Sequence, residues 1–331
     1  MPGSAAGRVV RSRAAGSGRP LAGWVVVDKP SGESSRATLD RVGRTLRAAG
    51  FNTKTGHAGT LDPLATGVLV VAVGDATRLV EYVQRMPKTY VATILLGASS
   101  TTDDADGHVV AFDAPRVPST PELEAALATQ VGVIEQAPPD YSAVKIEGRR
   151  AYDLARSGAA VAPSPRPVEI HEIVLLDYAW PRAEIRVECG SGTYIRSIAR
   201  DLGAALGCGG YIATLRRTRI GVFDLDAALD PRGLAIDGLL AALRPTVDGL
   251  GAMPRVPLDH VQVALVRQGR ALDPHRLPLG DANPGELALI ETGGALVAIA
   301  DWPDRDQSVL PRKVLAAAES PASRPLPEMP D

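Results

Sequence analysis

The chain has 331 residues, 45% hydrophobic and 22% charged, a composition that excludes wholesale disorder and allows one large domain or two ordinary ones. A net charge of −2 excludes a polyanion binder working by bulk charge, because phosphate binding needs clustered cations. No apolar run approaches the ~18 residues of a membrane helix, and two cysteines without zinc-ligand spacing, Cys189 and Cys208, point to reduced, cytoplasmic thiols.

Residues 1–22 hold Arg8, Arg11, Arg13 and Arg19, no acid and no apolar period. They read as a disordered basic arm, although the composition also fits an organellar transit peptide. Gly23–Asp28 (GWVVVD) is a buried strand stopped by Pro30. Over Ser34–Ala49 the spacing of Leu39, Val42, Leu46 and Ala49 predicts a helix, with Gly50 as its C-terminal stop. A strand at Gly67–Val73, a short helix at Ala76–Val83, a strand at Tyr90–Leu96 and a helix at Pro121–Val131 follow. Val168–Tyr178 and Ala183–Cys189 read as strands. Tyr194–Leu206 reads as a helix with Ile195, Ile198, Ala199, Leu202 and Leu206 on its apolar face.

Helices and strands alternate without regular βαβ spacing. The expected class is therefore α+β, with a mixed, largely antiparallel central sheet flanked by helices. Neither GxGxxG nor GxxxxGK[ST] occurs, so no phosphate-loop fingerprint is present. A Pro- and Gly-rich stretch over 245–258 separates a domain at 23–245 from a small β-rich unit at 255–316. In that unit Gly285–Ile290 and Ala295–Trp302 form a hairpin turned at Gly293–Gly294. The tail, 319–331, has four prolines and is expected to be disordered.

Charge is uneven. Residues 141–166 carry five cations against two acids, and Arg196, Arg200, Arg216, Arg217 and Arg219 stand against Asp201 alone. Local basic surface is expected from both runs. The segment Thr55–Leu69, TGHAGTLDPLATGVL, admits two readings. Gly56, Gly59 and Gly67 with Pro63 suit a tight loop whose His and Asp make turn hydrogen bonds. The same loop would present Asp62 as a carboxylate nucleophile, which needs a cationic partner to hold the charged form. The acids Asp103, Asp104 and Asp106 of TTDDADG are a candidate second acid or weak cation site, but the segment reads first as a solvated turn.

GHAGTLDPLATGVL resembles the catalytic signature of the TruB family, the tRNA pseudouridine-55 synthases. Further stretches match in the family's order: DKPSG (Asp28–Gly32), KTY (Lys88–Tyr90), YSAVK (Tyr141–Lys145), GTYIRS (Gly192–Ser197), LGCGG (Leu206–Gly210) and LRR (Leu215–Arg217). The resemblance runs from Gly23 to Arg219 and is only loose beyond. It implies the pseudouridine synthase fold with a PUA-like, RNA-binding accessory unit. It also implies isomerisation of uridine-55 in the tRNA T-arm loop, by base flipping and aspartate-dependent cleavage and rejoining of the uracil–ribose bond. By the same resemblance Asp62 is the nucleophile, Arg196 pairs with it, and Tyr90 stacks on the flipped uracil. Tyr194 and Leu215 line the base pocket, and His57 enters the space the base has left.

Lys29, Lys88, Lys145, Arg149, Arg150, Arg216 and Arg217 are candidate RNA contacts. The basic groups at 141–166 and 196–219 are expected to line one RNA-facing surface. The implied partner is the tRNA T-arm stem-loop, with no metal, cofactor, guide RNA or membrane, for a monomer in the cytoplasm. The form LDPLATG (Leu61–Gly67) favours the stand-alone bacterial type. Two rivals remain: a carboxylate-dependent hydrolase of another substrate, and a non-catalytic RNA-binding protein that kept the fold.

Overall fold

Strand β1 (Gly23–Lys29) is apolar from Gly23 to Val27, and both faces of that stretch are covered. Trp24 and Val26 enter one core, while Val25 and Val27 enter another beneath α1 (Ser35–Ala48). Helix α1 is capped by Ser34, whose Oγ accepts from Ala37 N at 3.1 Å, and it buries Leu39, Val42 and Leu46. The computed structural model describes residues 21–140, 145–146, 149–150 and 164–316. Of the expected basic arm only Leu21 and Ala22 are described, and both are buried rather than free. The remainder of the arm and the tail lie outside the described residues.

The chain continues through β2 (Thr55–His57) and β3 (Thr66–Val73). The helix expected over Ala76–Val83 is divided into a 3-10 turn, Gly74–Arg78, and α2 (Val80–Arg85). Ala76, Leu79 and Tyr82 are buried at every third position, the period of the tighter helix. Then come β4 (Lys88–Leu96), the hairpin of β5 (Ala98–Ser100) and β6 (Val109–Ala111), and α3 (Thr120–Ala128), opened by a Ser119–Glu122 capping box. Next are β7 (Gly132–Gln136), the pair β8 (Lys145–Ile146) and β9 (Arg149–Arg150), β10 (Arg166–Ala179) and β11 (Arg182–Cys189). Helix α4 (Ile195–Ala205), β12 (Gly210–Ile220), β13 (Phe223–Asp224) and α5 (Ile236–Ala241) complete the larger part.

The main sheet runs β1-β3-β12-β4-β11-β10-β7, with β2 on β3 and β13 on β12. Every pairing is antiparallel except β12 with β3. That one parallel contact sets Arg217 beside Gly67, and Arg217 in turn faces Tyr90, which faces Val187. One row across four strands thus ends at the residue that closes the Asp62 segment. Helix α4 covers this region, packing Ile198, Ala199 and Leu202 against Ile94, Ile185 and Ile170.

A second sheet, β14 (Arg255–Leu258), β15 (Gly285–Glu291), β16 (Leu296–Trp302) and β17 (Leu310–Val314), has its own core with α6 (His260–Arg267). It also shares one: Ala288, Leu296, Ile299 and Leu315 pack with Trp24, Val26 and Val70. Tyr82 Oη donates to Glu286 at 2.9 Å, Arg78 Nη1 to Val314 O at 2.5 Å, and Ala316 N to Asp75 Oδ2 at 2.6 Å. The architecture is α+β with a mixed, largely antiparallel sheet and a β-rich C-terminal unit. No described helix is long and apolar enough to cross a membrane.

Gly67 has φ +102°, and a Cβ there would meet Arg217 O at 2.1 Å. Gly67→Ala must therefore push β12 off β3, at a cost of about 3 kcal/mol or more. Thermal melting should fall by at least about 5 °C. Gly233→Ala, where a Cβ meets nothing within 4 Å, should leave it within about 2 °C.

Candidate active site

The segment between β2 and β3 is held from three directions. From α1, Ser35 Oγ donates to Leu61 O at 2.9 Å and accepts from Leu61 N at 2.8 Å. From the end of β1, the fully buried Lys29 donates from Nζ to Pro30 O (2.8 Å), Glu33 O (2.6 Å) and Pro63 O (3.2 Å). From β12, the buried Arg217 donates from Nε to Val68 O (2.8 Å) and from Nη2 to Gly59 O (3.0 Å). Ala65 N closes a turn on Asp62 O at 3.1 Å. The segment is a tight turn, but its His and Asp side chains do not make the turn hydrogen bonds expected of them: His57 Nδ1 is unbonded among the described residues, and the turn closes on the Asp62 carbonyl, leaving the carboxylate presented.

Asp62 Oδ2 lies 3.0 Å from Nη2 of Arg196, the second residue of α4. The other nitrogen, Nη1, is 3.5 Å from Asp104 Oδ2 and donates to Thr102 O at 2.9 Å. Asp104 is buried, accepting from Thr102 Oγ1 (2.5 Å) and Asp106 N (3.1 Å). One turn along the helix, Arg200 Nη1 sits 3.1 Å from Asp103 Oδ2. The expected solvated turn at 101–107 is thus docked on α4. A cation in the first turn of a helix opposes the macrodipole, and the acids of this turn offset that conflict. Burial raises the Asp62 carboxyl above its ordinary value and Asp104 adds to the rise, while Arg196 opposes both.

Asp62 opens into a cavity of about 300 Å³ whose walls include Tyr90, Tyr194, Arg196, Leu215, Lys88 and Arg217. Five predicted site residues therefore converge: Asp62, Tyr90, Tyr194, Arg196 and Leu215. Burial raises the Tyr90 phenol, which keeps it neutral. Tyr194 is fixed by Gln136, whose Oε1 accepts from Tyr194 N at 2.8 Å and whose Nε2 donates to Tyr194 O at 3.1 Å. His57 is not on the cavity wall. It stands on β2 with Nδ1 buried and unbonded among the described residues, and burial, then Arg217 and Arg36, lower its pKa.

The candidate RNA contacts divide. Lys29, Lys88 and Arg217 are interior: Lys88 Nζ donates to Gln84 O (2.7 Å) and Met86 O (2.8 Å), and burial pushes Lys29 and Lys88 down to about 8. Arg216 is half-exposed but gripped by Asp28 at 2.7 and 3.2 Å. The side chains of Lys145, Arg149 and Arg150 lie outside the described residues, as does most of YSAVK. The run at 196–219 is therefore largely an internal ion and carbonyl network rather than the expected surface, because Arg196 and Arg217 point inward. Sequence reasoning missed Gln136, Gln84 and the lining at Ser191–Thr193, and it named Asp104 only as a candidate second acid or cation ligand, not as a partner of Arg196. Only Asp104 had a signal: arginines four apart on α4 call for acids opposite them. Among the described residues no group of three His, Cys, Asp or Glu could hold a metal ion.

The profile of the TruB family pseudouridylate synthase N-terminal domain matches residues 46–195, and that of the tRNA pseudouridylate synthase B C-terminal domain matches residues 196–234. A tRNA pseudouridine synthase B of Cereibacter sphaeroides is 43% identical over 288 residues, covering 85% of this chain and 93% of the relative. Its counterpart in Ruegeria pomeroyi is 40% identical over 307 residues, covering 91% and 98%. Among solved structures, a chain of a Cbf5-Nop10-Gar1 complex superposes with TM-score 0.67 and 26% identity over 90% of this chain and 84% of that one. A chain of an H/ACA RNP bound to a substrate RNA containing 2'-deoxyuridine shares the fold, with TM-score 0.68 and 24% identity over 88% and 84%.

The charge arrangement has a direct readout. Carbon-13 NMR of labelled aspartate should show Asp62 titrating above 3.8, and higher still in Arg196→Met, because loss of the cation disfavours the charged form. A downward move in that variant would show that Arg196 does not stabilise the carboxylate.

Proposed function

This chain belongs to the TruB family of pseudouridylate synthases, and we propose that it converts uridine-55 in the T-arm loop of tRNA to pseudouridine, acting as a monomer without a guide RNA. The observation that carries the reading is the Asp62 carboxylate held at 3.0 Å by Arg196 in a cavity walled by Tyr90, Tyr194 and Leu215. The relatives' tRNA specificity supports the substrate, and the match extends over most of both chains.

The target base is stacked inside a loop, so it must be extruded at a cost of a few kcal/mol. Stacking on Tyr90 offsets about 1–3 kcal/mol of that. His57, outside the cavity and kept neutral, takes the place the base leaves. In the reaction the N1–C1′ bond breaks and a C5–C1′ bond forms. The C5 proton leaves, and N1 gains a proton. Detached uracil must turn without escaping, which the cavity walls enforce. Addition to the base, addition to the sugar and a glycal route share one requirement: an ionised Asp62 against the reacting ring and ribose.

The hydrolase alternative needs a second carboxyl group facing the substrate. Asp104, the acid beside Arg196, is buried under Thr102 and absent from the cavity wall. The β-rich C-terminal unit, docked on residues 75–82, is read as an RNA-binding accessory.

A pre-folded T-arm stem-loop carrying C5-tritiated uridine tests the proposal, since each turnover frees one tritium. Release should require uridine at position 55, and replacing only that uridine by cytidine should abolish it. Asp62→Asn should lower the single-turnover rate at least about 100-fold while tRNA affinity stays within about tenfold. Release above a few per cent of wild type from Asp62→Asn would remove the carboxylate from the reaction.

A further inference from the structure

With Lys29, Lys88, Arg196 and Arg217 turned inward, the cations that meet the RNA backbone must come from elsewhere, and α1 carries an unexplained set. Its solvent side bears Arg36, Arg41, Arg44 and Arg47 against one acid, Asp40. Arg36 pairs with Asp40 and Arg41 with Glu33. Arg44 and Arg47 are exposed and make no ion pair or side-chain hydrogen bond among the described residues. Arg41, Arg44 and Arg47 recur at i, i+3, i+6, where like charges destabilise a helix. The macrodipole favours Arg47 in the last turn but does nothing for Arg41 or Arg44. A polyanion would relieve that repulsion.

The stripe also leads to the site. Helix α1 runs antiparallel to the segment that carries His57 and Asp62. At its start Ser35 bonds Leu61, and near its end Gly43 faces both Arg47 and Thr55, a Cβ there meeting Arg47 Nη1 at 3.2 Å and Thr55 Oγ1 at 3.5 Å. Exposed Lys54 precedes Thr55. Arg36, 76% exposed, is close enough to depress the basicity of His57. From Arg36 to Arg47 the helix rises about 16 Å, long enough to follow several phosphates.

We propose that the outer face of α1, centred on Arg44 and Arg47 and continued by Lys54, is a phosphate-binding track that seats the RNA backbone leading to the nucleotide at His57. The inference rests on the reading that the substrate is tRNA. Arg44 and Arg47 are kept apart from catalysis because neither lines the cavity.

The test uses the full chain and pre-folded tRNA. Dissociation constants across a salt series and single-turnover rates at saturating tRNA are measured for wild type, Arg44→Gln/Arg47→Gln and Arg44→Lys/Arg47→Lys. Glutamine keeps helix propensity. The expected result for the glutamine pair is an affinity loss of about tenfold or more at low salt and a plot of log affinity against log salt shallower by about 1.5, as for the loss of two phosphate contacts. The saturating rate should stay at the wild-type value, and the lysine pair should bind within about threefold of wild type. A glutamine pair with wild-type affinity and slope, from an enzyme that does modify tRNA, overturns the track alone. A fallen rate at saturation also overturns it, by placing these residues in the reaction. If wild type neither binds nor modifies tRNA, the track falls together with the proposed function.

Discussion

Arg196 is a single buried cation standing between two carboxylates, Asp62 at 3.0 Å and Asp104 at 3.5 Å. Removing one member of such a group leaves an uncompensated charge, typically at a cost of about 3–5 kcal/mol. The arrangement therefore demands rigid support. Helix α4 supplies the arginine from a face packed on the central sheet, and the 101–107 turn supplies Asp104 through bonds from Thr102 and Asp106. Asp104 shares the arginine and raises the Asp62 carboxyl, so Arg196 holds Asp62 in place while opposing that rise only in part. A carboxylate so placed is directed and half-buried, facing a cavity in which a substrate would complete its desolvation.

The other buried cations act differently. Lys29 and Arg217 bond to backbone carbonyls, not to acids. They fix the loop on both sides of Asp62, at Pro63 and at Gly59, through oriented dipoles. Because they are not ion-paired to it, Asp62 keeps Arg196 as its charge partner. Two contacts of β12 make this arrangement possible: the parallel one with β3 brings Arg217 under the loop, and the antiparallel one with β4 sets it against Tyr90. Sheet topology, loop shape and cavity wall thus meet at one side chain.

Much of this was legible. The apolar runs Gly23–Val27 of β1 and Gly67–Val73 of β3 read as buried strands, since both faces are covered, and α4 declared itself through Ile195, Ile198 and Leu202. The hairpin of β15 and β16 followed from its glycines. Strand β12 stayed hidden: bulges at Ile212/Thr214 and Arg217/Arg219 break its two-residue period, and a buried arginine sits in its middle. The same principle misplaced the cations. A lysine or arginine is read as surface by default, yet Lys29 and Lys88 find carbonyls made available only by the tertiary fold. The site residues Asp62, Tyr90, Tyr194, Arg196 and Leu215 came from motif resemblance, whereas Gln136 and the place of Asp104 beside Arg196 needed the folded geometry.

The central claim is that Arg196 acts on the chemical step through the Asp62 carboxylate. Single-turnover rate at saturating tRNA, measured beside the dissociation constant for Arg196→Lys and Arg196→Met, tests it most directly. Lysine keeps the charge but loses the planar fork that reaches both acids. The account predicts a rate lowered by at least about tenfold in the lysine variant and further in the methionine variant, with affinity within about tenfold in both. A lysine variant with wild-type rate at saturation, or a methionine variant that loses affinity alone, would contradict it.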